Sequence, residues 1–122
     1  MATKNALRLR INKTVSSAGL QTLLSDMVEA GKIYCIQQVS WEINKATSGG
    51  NTRCRLYIEG HGYKHNIEEQ DAPAADTLYT YAEPLWLIPN ERIALEIDQA
   101  QASTITEMCL TGYWTEFREG IV

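Results

Sequence analysis

The chain lacks any charge-free stretch long enough to cross a bilayer as a helix; its uncharged runs are short, mixed and partly polar. No apolar segment follows Met1–Asn5, so no secretory signal is predicted and synthesis in a cytoplasm is expected. Basic residues are scarce relative to acidic ones, 11 against 15, for a formal net charge of −4. That balance excludes a nucleic-acid-binding face as the main feature, since phosphate recognition needs clustered Lys and Arg. Cysteine is limited to Cys35, Cys54 and Cys109, with no C-x-x-C spacing. Zinc-ribbon and redox motifs are therefore unsupported, and each thiol reads as a small buried hydrophobe inside an apolar-patterned strand.

Signatures of catalysis are missing as well. There is no G-x-S-x-G elbow, no G-x-x-x-x-G-K or G-x-G-x-x-G loop, and no local signature around any cysteine. Glu42, Glu59, Glu83, Glu96 and Asp98 are scattered along the polar sides of strand patterns, so no carboxylate pair stands out for acid–base work. The one place where chemistry could gather is Glu59–His65. If extended, it would put Glu59, His61, Tyr63 and His65 on one face, a possible metal ligand set. Flanking glycines and the lack of a family metal motif favour a glycine-rich strand end instead. No catalytic, cofactor-binding or metal residue is assigned, and the chain is expected not to be an enzyme.

What is present is period two, the mark of half-buried strands. Leu7, Leu9 and Ile11 alternate with Arg8, Arg10 and Asn12; Cys54, Leu56 and Ile58 with Arg53, Arg55 and Tyr57. Ile93, Leu95 and Ile97 repeat the pattern, as do Met108, Leu110, Gly112 and Trp114. Between Lys32 and Asn44 the phase changes: Tyr34 and Ile36 are even, Val39, Trp41 and Ile43 odd. One extra residue at Gln37–Gln38, a β-bulge, would return both halves to one core face. Ser48–Asn51 reads as a hairpin turn, Ile88–Glu91 as a tight turn, and Asp71–Asp76 as a longer exposed loop. Leu20, Leu23, Leu24, Met27 and Val28 recur at helical spacing, so residues 14–30 read either as a short helix or as an irregular segment.

At 122 residues the chain fits one domain. Seven or eight short strands predict an all-β fold, a jelly-roll or antiparallel β-sandwich. Residues 1–13 would form an N-terminal extended arm or edge strand, and 14–122 the sandwich. The basic cluster Lys4, Arg8, Arg10 and Lys13 reads as the charged face of an edge strand, or as an arm gripping an acidic neighbour. Trp41 and Trp114 fall on core sides. Tyr79 and Tyr81 share a face and Trp86 lies opposite Leu85 and Leu87, which makes them interface candidates together with Leu7, Arg8, Leu9, Arg10 and Ile11.

The order Gly31-Lys32-x-Tyr34-x-Ile36, Val39-Ser40-Trp41, Leu56 to Gly62, Pro84-Leu85-Trp86-Leu87 and Leu110 to Trp114 resembles small phage-encoded jelly-roll virion proteins. Among these it is most similar to the capsid decoration or cement proteins of tailed bacteriophages, over residues 30–116. The resemblance implies a structural protein that stabilises a capsid through protein–protein contacts. It further implies a homotrimer, the major capsid protein as partner, a place on the virion surface, and no cofactor, nucleic acid or membrane. The alternative is a carbohydrate- or receptor-binding β module of a fibre or tail.

Overall fold

A computed structural model describes residues 3–47 and 53–116; nine strands and no helix occur among them. The strands are β1 (Asn5–Thr14), β2 (Gly19–Leu24), β3 (Lys32–Ile43), β4 (Arg53–Gly60), β5 (Tyr63–Asp71), β6 (Tyr79–Tyr81), β7 (Leu85–Leu87), β8 (Glu91–Ala100) and β9 (Ile105–Glu116). One sheet runs β1-β9-β3 and ends in β6 and β7, which both pair with β3; the other runs β2-β8-β4-β5. Every pairing is antiparallel.

Taking β6 and β7 as one interrupted strand, the chain is a folded ribbon. First pairs with last (β1·β9), second with second-last (β2·β8), β3 with β6 and β7, and β4 with β5 at the bend. Wound across two layers, this is the jelly roll. The core lies between the layers: Ile36, Val39, Trp41 and Ile43 from β3, Met108 and Leu110 from β9, facing Leu56 of β4 and Ile93, Leu95 and Ile97 of β8.

The expected bulge is there. The β3·β9 register slips between Ile36 and Gln38, leaving Gln37 without a partner on β9, and Ile36 and Val39 are both buried. Opposite the bulge stands Gly112, where a Cβ would collide with the Cys35 carbonyl oxygen. Only glycine lets the bulged backbone come that close. At Ile88–Glu91 the Glu91 N–H donates to the Ile88 carbonyl at 3.1 Å and Asn90 has a φ of 69°, a type II arrangement with Pro89 ahead of the left-handed residue.

One alternative is decided and two expectations change. Of the arm and the edge strand expected at the N-terminus, residues 5–14 form the edge strand: β1 pairs residue for residue with β9 from Asn5↔Trp114 to Thr14↔Ile105, and Leu7 is buried. Residues 19–24 form a strand on β8 rather than a helix. Leu23 and Val28 face the core while Leu20, Leu24 and Met27 are exposed, so their helical spacing is incidental. Residues 59–65 do not run straight. His61 (φ 53°) and Gly62 (φ 80°) make a two-residue turn closing the β4–β5 hairpin, with positive φ at both positions as a type I′ turn requires. The Ser48–Asn51 turn lies outside the described residues, and the strands on either side, β3 and β4, belong to opposite sheets.

Two stability measurements follow. Trp41 is 4% exposed and stacks on Tyr79 at 4.6 Å between ring centroids. Trp41→Ala should cost about 3–5 kcal/mol on chemical denaturation, the range for emptying a core aromatic site. Burial, and secondarily the Asp98 carboxylate, push the Cys54 thiol up to about 12. A thiol in the unfolded chain ionises near about 8.5. Its contribution to stability is thus intact below the unfolded value and drains away as pH rises toward the folded one. The loss approaches about 1.4 kcal/mol per pH unit. Denaturation at pH 8 and pH 10 should show this slope, and Cys54→Ala should remove that part of it.

Candidate interaction surface

The β1·β9·β3 sheet has two chemically different faces, and they divide the interface candidates. Leu7, Leu9 and Ile11 point inward: Leu7 is buried, while Leu9 and Ile11 are half-buried against the core. Tyr79 and Tyr81 also point inward. Tyr79 stacks on Trp41, its hydroxyl accepts the Ala74 N–H at 2.9 Å, and Tyr81 packs on the same cluster. Arg8, Arg10 and Trp86 face outward, on the side away from the core. Five of the eight candidates therefore point toward the core side, and three share the outer surface.

Cross-strand register completes that surface. Ala6 pairs with Tyr113, Tyr113 with Cys35, and Cys35 with Trp86, giving a single row across four strands. Trp86 is 58% exposed and meets Tyr113 edge-on, centroids 6.2 Å apart with planes at 85°. Cys35, though on the outer side, is only 3% exposed. A side-chain hydrogen bond with Cys35, followed by desolvation, raises the Tyr113 hydroxyl above its ordinary pKa. Lys4 places its ammonium 4.7 Å from the Tyr113 ring centroid. Neither Tyr113 nor Cys35 is an interface candidate from sequence. Cys35 reads as a buried thiol, and is one; Tyr113 reads as off the core face, and their meeting with Trp86 depends on pairing between distant segments.

Charge on this face is uneven. Arg10 pairs with Glu107 at 2.8 Å, whereas Arg8 makes no ion pair among the described residues. Beside β1, where the two sheets part, a cleft of about 320 Å³ opens on Leu9, Ile11 and Leu24, with Arg10, Asn12 and Asp26 at its rim.

The opposite sheet presents a ladder of charges. Arg53 reaches Asp71 at 3.3 Å and Glu69 at 3.7 Å, Arg55 reaches Glu69 at 3.0 Å, and Arg92 reaches Glu59 at 2.8 Å. A shallow groove of about 410 Å³ lies over it, lined by Leu20, Arg53, Arg55, Glu96 and Asp98. Tyr57, the aromatic of this face, is buried with the Lys64 ammonium 5.2 Å from its ring centroid, so the groove has no open stacking platform there. His61 donates from Nε2 to the Pro89 carbonyl at 3.0 Å, which ties the turn to the neighbouring loop. No group of three or more metal-ligating side chains converges among the described residues.

No protein-family model and no curated protein sequence matches the chain. Solved structures align with it over most of their length. A chain from the acid-stable capsid structure of Helicobacter pylori bacteriophage KHP30 superposes with a TM-score of 0.62 at 14% identity, covering 96% of this chain and 94% of that one. A chain from the Bacillus endospore appendages, disulfide-linked pili, aligns at a TM-score of 0.48 and 12% identity over 97% and 92% of the two chains. A family 4 carbohydrate-binding module aligns at 0.40 and 12% identity over 90% and 84%. The likeness to the first, at 14% identity, concerns the fold alone, a two-sheet antiparallel sandwich.

Because Trp86 is mostly outside the core, Trp86→Ala should cost less than about 1 kcal/mol, in contrast to Trp41. The same change should uncover Cys35, and mass spectrometry after alkylation of the folded protein should find its labelling accelerated.

Proposed function

We propose that this chain is a structural protein of a phage particle, attached to the capsid surface as a decoration or cement protein and stabilising it through protein–protein contacts. The observation that carries the reading is the end-to-end superposition on a phage capsid chain of nearly equal extent, 96% of one covered by 94% of the other. A bare jelly roll with no added domain thus occurs in such a shell. The outer face of β1, β9, β3 and β7 supplies what attachment needs, an aromatic anchor in Trp86 and Tyr113 flanked by unneutralised positive charge. We read the protein as non-catalytic, with the major capsid protein as partner and closed threefold symmetry as its assembly on the shell.

A second reading, a carbohydrate- or receptor-binding module, draws on the exposure of Trp86. The 85° angle between Trp86 and Tyr113 argues against it, since the two rings cannot lie flat beneath one sugar chain.

Purified protein mixed with shells of the phage that encodes it should co-sediment in fixed ratio and raise the temperature at which the shells fall apart. Light scattering should give about three times the 13.7 kDa chain mass, free or after release from shells. Failure to bind shells, together with tryptophan quenching by an oligosaccharide, would instead favour the second reading.

A further inference from the structure

Four strand edges bound the two sheets among the described residues, and three of them are blunted. β2 is six residues long with an irregular register on β8. β5 is interrupted by a register shift that leaves Ile67 without a partner on β4. β6 and β7 are three residues each, separated by a segment that contains Pro84. Short strands, bulges, proline and edge charges are the usual protections against a further strand adding on. β1 runs ten residues with an unbroken register and has only the last of these, in Arg8, Arg10 and Lys13, which repel a basic strand but not an acidic one.

The outward groups of that edge can be identified. Val15 N–H donates to the Thr104 carbonyl at 2.9 Å, continuing the β1·β9 register by one residue. Backbone direction alternates along an antiparallel ladder, so odd residues bond β9 and the N–H and C=O groups of Ala6, Arg8, Arg10 and Asn12 face away from it. The same even residues carry the outward side chains. Below them the cleft exposes Leu9, Ile11 and Leu24, the last 39% exposed.

We infer that the free edge of β1 is an acceptor for an extended partner segment in which acidic residues alternate with small apolar ones. Its backbone extends the sheet, and its carboxylates lie beside Arg8, which has no ion pair among the described residues, and share Arg10 with Glu107. Its apolar side chains fill the cleft over Leu9, Ile11 and Leu24, where the carboxylate of Asp26 at the rim disfavours an acidic one. Charge selects this occupant. A second copy pairing β1 with β1 about a twofold axis would set arginine against arginine, and directly opposed like charges destabilise a sheet. The inference rests on the reading of the chain as an attachment protein and names the chemistry of the segment it would hold.

The test uses the whole protein and two synthetic octapeptides, one alternating Glu with Val and the other Lys with Val. The Glu peptide should bind one to one and slow amide exchange at Ala6, Arg8, Arg10 and Asn12, while the Lys peptide binds at least tenfold more weakly. The double variant Arg8→Glu, Arg10→Glu, checked for native circular dichroism, should reverse that preference. Equal binding of the two peptides, protection confined to β2 or β5, or no protection of β1 at saturating peptide would overturn the inference. So would self-association that protects β1 without peptide, since the occupant would then be a second copy. The assay needs no shell, so its failure and a failure to bind shells are separate results.

Discussion

The sandwich depends on β3 carrying one residue more than β9 opposite it. Without the bulge at Gln37, either Ile36 or the set Val39, Trp41 and Ile43 would face water, and a sheet cannot lose half a central strand from its core. Gly112 makes the bulge possible by leaving room for the Cys35 carbonyl. The bulge also fixes what lies outside. With β3 in this register Cys35 falls between Tyr113 and Trp86, so one local irregularity sets both the packed interior and the aromatic row on the surface.

How far the sequence foretold this follows from the range of the forces involved. Alternation within a strand is local, so the inward sets of β1, β3, β4, β8 and β9 were legible, and the phase change in β3 announced its bulge. Which strand lies beside which is not local. Nothing near Tyr79 says that its inner neighbour is Trp41, and so a core tyrosine looked like an interface residue. β1 looked separable because its partner lies at the other end of the chain. Leu20, Leu24 and Met27 misled for the opposite reason: an edge strand that leaves leucines exposed imitates the spacing of an amphipathic helix. At His61–Gly62 the turn chemistry was present in the glycine, but histidine is less commonly found with positive φ than asparagine or aspartate at such a turn.

The two outer faces divide the charge of the molecule. On the β2·β8·β4·β5 side, arginines are answered by carboxylates of the same sheet, and exposed pairs of this kind add little stability or affinity. On the β1·β9·β3 side Arg8 is unanswered and the tryptophan is bare. In a protein with a net charge of −4, an arginine on this edge without an ion pair among the described residues biases the orientation in which an acidic surface approaches.

The pairing of the first strand with the last also has a consequence in time. During synthesis β1 leaves the ribosome well before its register partner β9, which is complete only at Glu116. At about 5–20 residues per second, that is a wait of several seconds with Leu7, Leu9 and Ile11 uncovered. An alternating apolar segment left open for so long is a seed for aggregation, and interspersed charges are the recognised safeguard. Lys4, Arg8 and Arg10 are interspersed charges of that kind, present in the segment before the folded molecule has any surface to present.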